Sequence, residues 1–353
     1  MEETTPNDMK QLTLAVQDTL KTIDHEREKE IITRRFGLFD RKETLEQIGE
    51  LLGITRERVR QLEKAILIRL KLASESGKVP SITSVERMMV RHLSETGRVA
   101  KVSDLASRIA PNGSADNTTK AHVGFLAELS PNLTVVGEND HYHHAVGIKE
   151  HGDEKTIKKS VDAIVKAVKT HGKPLTADEL HTQLTQYEHP SHIEALAGVS
   201  KDLAHLKNNW GLNKWPTVNP KNIRDKIFVT LSDNGKPMHF SDIAKTIKKS
   251  NFRRKDVTTQ AIHNELIKDK RFVLIGRGIY ALNSWGYSKG TVSEIIAAVL
   301  RKNGQPMHRD DIVREVLKSR QVKETTILLN LQSKPQFKRV SKATYTLVEP
   351  SEK

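Results

Sequence analysis

The sequence predicts a mostly α-helical chain with small β wings: a helix-turn-helix domain followed by about four tandem winged-helix-like modules. Residues 44–70 read as helix, tight turn and helix. Further on, an apolar helix, a Gly, a short extended piece and an acid-started second helix recur around Gly97, Gly172, Gly235 and Gly304. Composition agrees: 36% hydrophobic and 29% charged residues over 353 positions suit several thin-cored helical modules better than one large core.

At the N-terminal end, Leu12, Val16, Leu20 and Ile23 fall at helical spacing, predicting a helix over 12–25 that packs on the helix-turn-helix. Thr44 and Gln47 then make a capping box, and Leu45, Ile48 and Leu52 share one face of the next helix. Gly53 supplies the positive φ that a tight helix–helix turn needs, and Thr55 can cap the second helix. In that helix Val59, Leu62, Ile66 and Leu70 form the apolar face, opposite Arg56, Glu57, Arg60, Gln61 and Lys64. Such a stripe suits a helix lying in the major groove of DNA, where Arg grips guanine, Gln pairs with adenine and Glu accepts from cytosine. An ordinary solvated helix face has the same pattern, and spacing alone leaves both readings open. Residues 74–81 (SESGKVPS) read as a linker.

The repeat occupies 88–105, 163–180, 226–243 and 297–312. Leu93, Val168, Leu231 and Leu300 stand four residues before each anchoring Gly. Leu105, Leu180, Ile243 and Ile312 stand eight after it, each preceded by an acid: Asp104, Glu179, Asp242 or Asp311. The glycines read as helix C-caps, and the acids as partners of a helix dipole without a catalytic role. In the third copy a helix over Asp256–Lys268 places Val257, Ala261, Leu266 and Ile267 in the core. RFVLI and GIYAL come next as a hairpin turning at Gly276-Arg277. Domain boundaries fall at 1–78, 81–150, 155–217, 219–287 and 289–349. Trp210 and Trp215 either pack one module on the next or form a stacking platform.

Net charge is +14. The excess of Lys and Arg over Asp and Glu is zero in residues 1–80, +9 in 219–290 and +5 in 291–353, so a polyanion partner is expected of the C-terminal part. Cysteine is absent, which removes disulfides, cysteine-ligated zinc and a thiol nucleophile. His141, His143 and His144 cannot all converge on one metal from an extended strand, and a hairpin tip is expected there. No phosphate-cradling Gly loop, paired carboxylates or nucleophile–base set is evident. The expectation is no enzyme, no cofactor, no metal, no small-molecule substrate, no membrane association and a cytoplasmic, nucleoid-associated protein.

Arg27-Glu28, Arg34-Arg35-Phe36-Gly37-Leu38, Thr44-Leu45-Glu46-Gln47-Ile48-Gly49 and Thr55-Arg56-Glu57-Arg58-Val59-Arg60-Gln61-Leu62-Glu63 together resemble region 4 of the primary sigma factors. That domain reads the −35 promoter element and docks on the β flap of RNA polymerase. The resemblance implies base contacts from Arg56, Glu57 and Gln61, and phosphate contacts from Thr55, Arg58, Arg60 and Lys64. It also implies a polymerase-facing segment with Arg27, Glu28, Arg34, Arg35 and Phe36. Nothing here resembles the promoter-melting region 2, so a complete sigma factor is not expected. Gly235-Lys236-Pro237-Met238-His239 with the run Arg271–Leu282 resembles the HARE-type winged helix of the polymerase delta subunit; the fourth copy repeats it, with Ser341 and Lys342 in place of the hairpin glycines. Lys248, Lys249, Arg253, Arg254, Lys255 and Arg277 are the phosphate contacts expected there. The partners expected are double-stranded DNA and RNA polymerase core. The alternative is a delta-like polymerase accessory acting mainly through protein contacts.

Overall fold

The computed structural model describes residues 6–110, 113–252, 254–287 and 289–348. Helix makes up 58% of it, with small antiparallel sheets, and it divides into two compact units, Met1–Lys214 and Trp215–Lys353.

The first unit begins with α1 (Pro6–Lys21), α2 (Glu26–Phe36), α3 (Leu45–Leu52) and α4 (Arg56–Glu75). The Thr44 capping box forms, with the Gln47 N–H donating to Thr44 Oγ1 at 3.3 Å and the Thr44 N–H donating to Gln47 Oε1 at 2.9 Å. Ile31, Ile48 and Val59 form a small core that holds α2, α3 and α4 together. Helix α1 differs from its expected place. Its apolar face lies along α5 (Pro80–Thr96) and against α7 (Asn117–Leu129), not mainly on the helix-turn-helix. Periodicity identifies an apolar face but not the surface that covers it.

No linker separates the helix-turn-helix from the first repeat. Only residues 76–79 lie between α4 and α5, and Val79 is buried. One core runs from Leu12 through Ile32, Leu38, Ile66 and Leu70 to Ile82, Met89, Phe125 and Leu126. The first copy continues as β1 (Val99–Lys101), α6 (Val102–Ile109), α7, β2 (Leu133–Val136) and β3 (Ala145–Ile148), with strand order β1-β3-β2. The second comprises α8 (Glu154–His171), α9 (Ala177–Gln183), α10 (Pro190–Val199), β4 (Leu203–Leu206) and β5 (Asn209–Leu212). Here the first strand shrinks to one bridge: Trp210 N–H donates to Leu175 O at 2.7 Å and Leu175 N–H to Trp210 O at 2.9 Å. Trp210 is a buried residue of this copy, and Trp215 is half-buried.

In the second unit the third copy is α11 (Ile223–Asn234), β6 (Met238–His239), α12 (Phe240–Lys249), α13 (Thr259–Lys268), β7 (Phe272–Gly276) and β8 (Ile279–Leu282). The fourth is α14 (Val292–Asn303), β9 (Met307–His308), α15 (Arg309–Ser319), α16 (Glu324–Ser333), β10 (Phe337–Ser341) and β11 (Thr344–Leu347). Their sheets run β6-β8-β7 and β10-β11-β9, so in both copies, as in the first, the short strand after the Gly pairs with the last strand of the hairpin.

All four anchoring glycines are left-handed C-caps, with φ of 99°, 77°, 64° and 70°, and each donates its N–H to the carbonyl of Leu93, Val168, Leu231 or Leu300. Those four side chains are buried, as are Leu105, Leu180, Ile243 and Ile312. Ile267, expected in the core, is 65% exposed. Ile262 and Leu266 set the inward face of α13, and Ile267 lies about 100° round the helix from Leu266.

Candidate nucleic-acid interface

Thr55 starts α4, its Oγ1 accepting the Arg58 N–H at 3.2 Å. From that cap the helix buries Val59, Ile66 and Leu70 and leaves Arg56, Glu57, Arg58, Arg60, Gln61 and Lys64 exposed. The turn before it is tight: a Cβ on Gly49 would stand 2.7 Å from the Ile54 carbonyl oxygen.

Four of these exposed groups, Glu57, Arg58, Arg60 and Gln61, form one network. Arg60 donates from Nη2 and Nε to the two Glu57 oxygens at 2.7 and 2.8 Å. Gln61 Nε2 also reaches Glu57, and Arg58 Nη1 reaches Gln61 Oε1, both at 3.4 Å. The Arg60 guanidinium holds Glu57 below the usual carboxylate range. Four exposed cations and a single exposed carboxylate, already ion-paired, therefore share this stretch of helix. Both side chains of the Glu57–Arg60 pair are in solvent, where an ion pair contributes little and exchanges readily. The arrangement can release a guanidinium to an anion without burying an unpaired charge.

Arg27, Glu28, Arg34, Arg35 and Phe36 have intramolecular partners. Arg27 Nη2 donates to the Leu52 carbonyl at 2.6 Å and so closes the C-terminus of α3. Glu28 pairs with Arg69. Arg34 joins Glu30 and Glu43 at 3.0 and 2.9 Å, Arg35 Nε reaches Glu63 at 3.1 Å, and the Phe36 ring meets Phe125 edge-on at 5.0 Å. These ion pairs explain how a segment of zero net charge presents a basic α4 face: many of its acids are held by cations elsewhere. The roles of Glu43 and Glu63 had no sequence signal, since Glu63 meets Arg35 across 28 positions of chain. Gly49 was equally silent.

In the second unit Lys248 and Lys249 end α12, Arg254 and Lys255 lie in the following loop, and Arg277 sits at the β7–β8 turn. All five are exposed and none has an ion-pair partner among the described residues. Arg253 lies outside the described residues. The Arg254 backbone is left-handed (φ 53°), and its carbonyl accepts from Lys226 Nζ at 2.8 Å. Burial lowers the Lys226 pKa, with Arg254 adding to the effect.

His141, His143 and His144 lie between β2 and β3; His141 and His143 fasten the first copy to the second, while the His144 carbonyl accepts from Val102 N–H at 2.9 Å within the first copy. Tyr142 bridges Ser200, and its hydroxyl donates to Asp162 at 2.5 Å; burial, then Asp162, pushes this phenol up to about 12. Among the described residues no group of three or more His, Asp or Glu could hold a metal ion, and no helix is long and apolar enough to cross a membrane.

The capped helix-turn-helix has counterparts among known proteins. Residues 25–72 match Sigma-70, region 4. Two relatives are similar to the chain over a comparable length. RNA polymerase sigma factor SigA of Bacillus sp is 45% identical over 62 residues, 17% of this chain and 16% of that protein. RNA polymerase sigma factor sigB of Arabidopsis thaliana is 48% identical over 58 residues, 16% of this chain and 10% of that protein. The chain thus spans less than a fifth of the length of the curated relatives it matches. Region 4 is a helix-turn-helix, a DNA-binding domain and not a catalytic one, and the match runs from α2 through nearly all of α4.

Proposed function

We propose that this chain is a sigma-like DNA-binding transcription protein whose α4 enters the major groove of a −35-like promoter element. The observation that carries the reading is a capped, exposed α4 face bearing Arg56, Glu57 and Gln61 within a segment that matches region 4. Those three side chains read base edges, while Thr55, Arg58, Arg60 and Lys64 hold phosphates. On docking, Arg60 exchanges the Glu57 carboxylate for a phosphate, which frees Glu57 and Gln61 to face bases. The segment carrying Arg27, Glu28, Arg34, Arg35 and Phe36 docks on the β flap of RNA polymerase core; its internal ion pairs shape that surface. The four repeats act as winged helices, and Lys248, Lys249, Arg253, Arg254, Lys255 and Arg277 of the third add phosphate contacts. The protein works in the cytoplasm, on the nucleoid, by affinity and placement.

Fluorescence anisotropy with a promoter-like and a scrambled duplex at physiological salt tests this, alongside retention of polymerase core. Arg56→Ala and Gln61→Ala are each expected to reduce the preference by roughly 1–3 kcal/mol. Equal affinity for both duplexes, with no retention of polymerase, sinks the reading. One observation favours a second reading, a delta-like accessory acting through protein contacts: Ile267 and Leu274 of the third copy are exposed apolar residues. Polymerase retention that survives nuclease while duplex preference is absent selects it.

A further inference from the structure

Hairpins of the repeats are covered by the next copy in the same unit. In the first unit His143 N–H donates to Val199 O at 2.8 Å and Lys201 N–H to His141 O at 2.7 Å, tying the β2–β3 loop to the second copy. In the second unit Gln321 N–H donates to Ile275 O at 3.1 Å, and a Cβ on Gly276 would stand 2.9 Å from the Gln321 carbonyl. The β10–β11 hairpin has no such cover among the described residues. After Phe337 every residue of β10 is exposed, so both faces of that strand meet solvent. On β7, by contrast, only Leu274 is exposed.

The uncovered hairpin is also one-signed. Residues 325–348 contain Lys334, Lys338, Arg339 and Lys342 and no Asp or Glu. None of these cations has an ion-pair partner among the described residues; Arg339 Nε only reaches the Ser341 carbonyl at 3.2 Å. On α15 of the same copy, by contrast, basic residues are neutralised: Arg314 pairs with Asp311 at 3.4 Å and Lys318 with Glu315 at 2.6 Å. Charge on an edge strand also prevents edge-to-edge pairing, but either sign serves that purpose. A purely cationic run, open on both faces, selects for a polyanion.

We propose that Lys338, Arg339 and Lys342, with Lys334 beside them, form a separate DNA contact that grips duplex phosphates without reading sequence. The site does not depend on α4 or on the cations of the third copy. Backbone contacts from an exposed hairpin supply affinity and orientation while leaving sequence choice to base-reading groups.

The test uses the full chain carrying Lys338→Gln, Arg339→Gln and Lys342→Gln, with anisotropy on a scrambled duplex at several salt concentrations. Each lost phosphate contact lowers the slope of log affinity against log salt by about 0.9, so the slope is expected to fall by about 2–3. Any preference for a promoter-like duplex stays unchanged. A second variant, Lys338→Arg with Lys342→Arg, is expected to keep the original slope. If the Gln variant is folded by circular dichroism and retains the original slope, the proposal is overturned. Loss of polymerase-core retention at an unchanged slope also overturns it and assigns the hairpin to a protein. Loss of promoter preference in Arg56→Ala, or its absence altogether, is a separate outcome that bears only on α4.

Discussion

Gly49 and Gly53 stand four residues apart and serve different needs. Gly53 has φ 64° with nothing within 4 Å of where a Cβ would be, so its requirement is conformational. Gly49 is helical, and its requirement is space: Ile54 returns over it, donating its N–H to the Gly49 carbonyl at 2.9 Å. Gly49→Ala is therefore expected to push the turn off α3 and cost roughly 1–3 kcal/mol, an overpacking effect. At Gly53, Asn tolerates the left-handed region and should recover much of the loss seen with Ala. Urea titrations of the three variants check this; an Ala at position 49 that leaves the midpoint unmoved would refute the close approach. Gly53 was legible because a turn between two periodic segments demands a positive φ. Gly49 was not, since nothing local says which backbone will return over it. The capping box was legible for the opposite reason: its partners, Thr44 and Gln47, lie three residues apart.

Helices α1 and α7 decide how much of the chain folds as one body. Phe125 of α7 is fully buried against Phe36 of α2, within a core that reaches from α1 to the first repeat. The region 4 segment therefore completes its core with side chains from outside residues 25–72. Phe125→Ala is expected to cost about 3–5 kcal/mol and to lower the melting of the helix-turn-helix and the first repeat together. Calorimetry checks it: two separated transitions of which only one shifts would contradict the shared core. The repeat itself was readable from spacing, because Gly C-caps and buried positions at fixed offsets are local properties of each copy. The missing linker at 74–81 and the partner of α1 were not. Both depend on which apolar faces meet, and Ser, Gly and Pro signal the end of a helix without saying whether the next one packs back.

At the scale of the first unit, four histidines share one electrostatic state. Burial holds His122, His143, His144 and His192 below the ordinary histidine value of 6.5. His122 Nε2 donates to the Leu38 carbonyl at 2.8 Å, which locks helix α7 to the segment after α2. A base with a depressed folded pKa takes up its proton more easily when unfolded. The associated stability is thus present above the ordinary value and lost as pH falls through the folded values. The melting temperature of this unit is expected to drop between neutral pH and about pH 5. His122→Gln keeps a donor for Leu38 without titrating and should narrow that drop; an equal drop in both proteins would exclude His122 as a source.

By itself the sequence determined the helix-turn-helix, its caps, the polar face of α4, the fourfold repeat and the basic C-terminal part. Each rests on residues close enough along the chain for local backbone geometry to relate them. Tertiary structure alone decided that the helix-turn-helix and the first repeat share a core, that the acids near α2 pair away from the α4 face, and that β10 after Phe337 is exposed along its length, with no cover among the described residues. Those outcomes depend on contacts between distant segments, where burial and charge pairing choose among apolar and ionic partners that local spacing leaves equivalent.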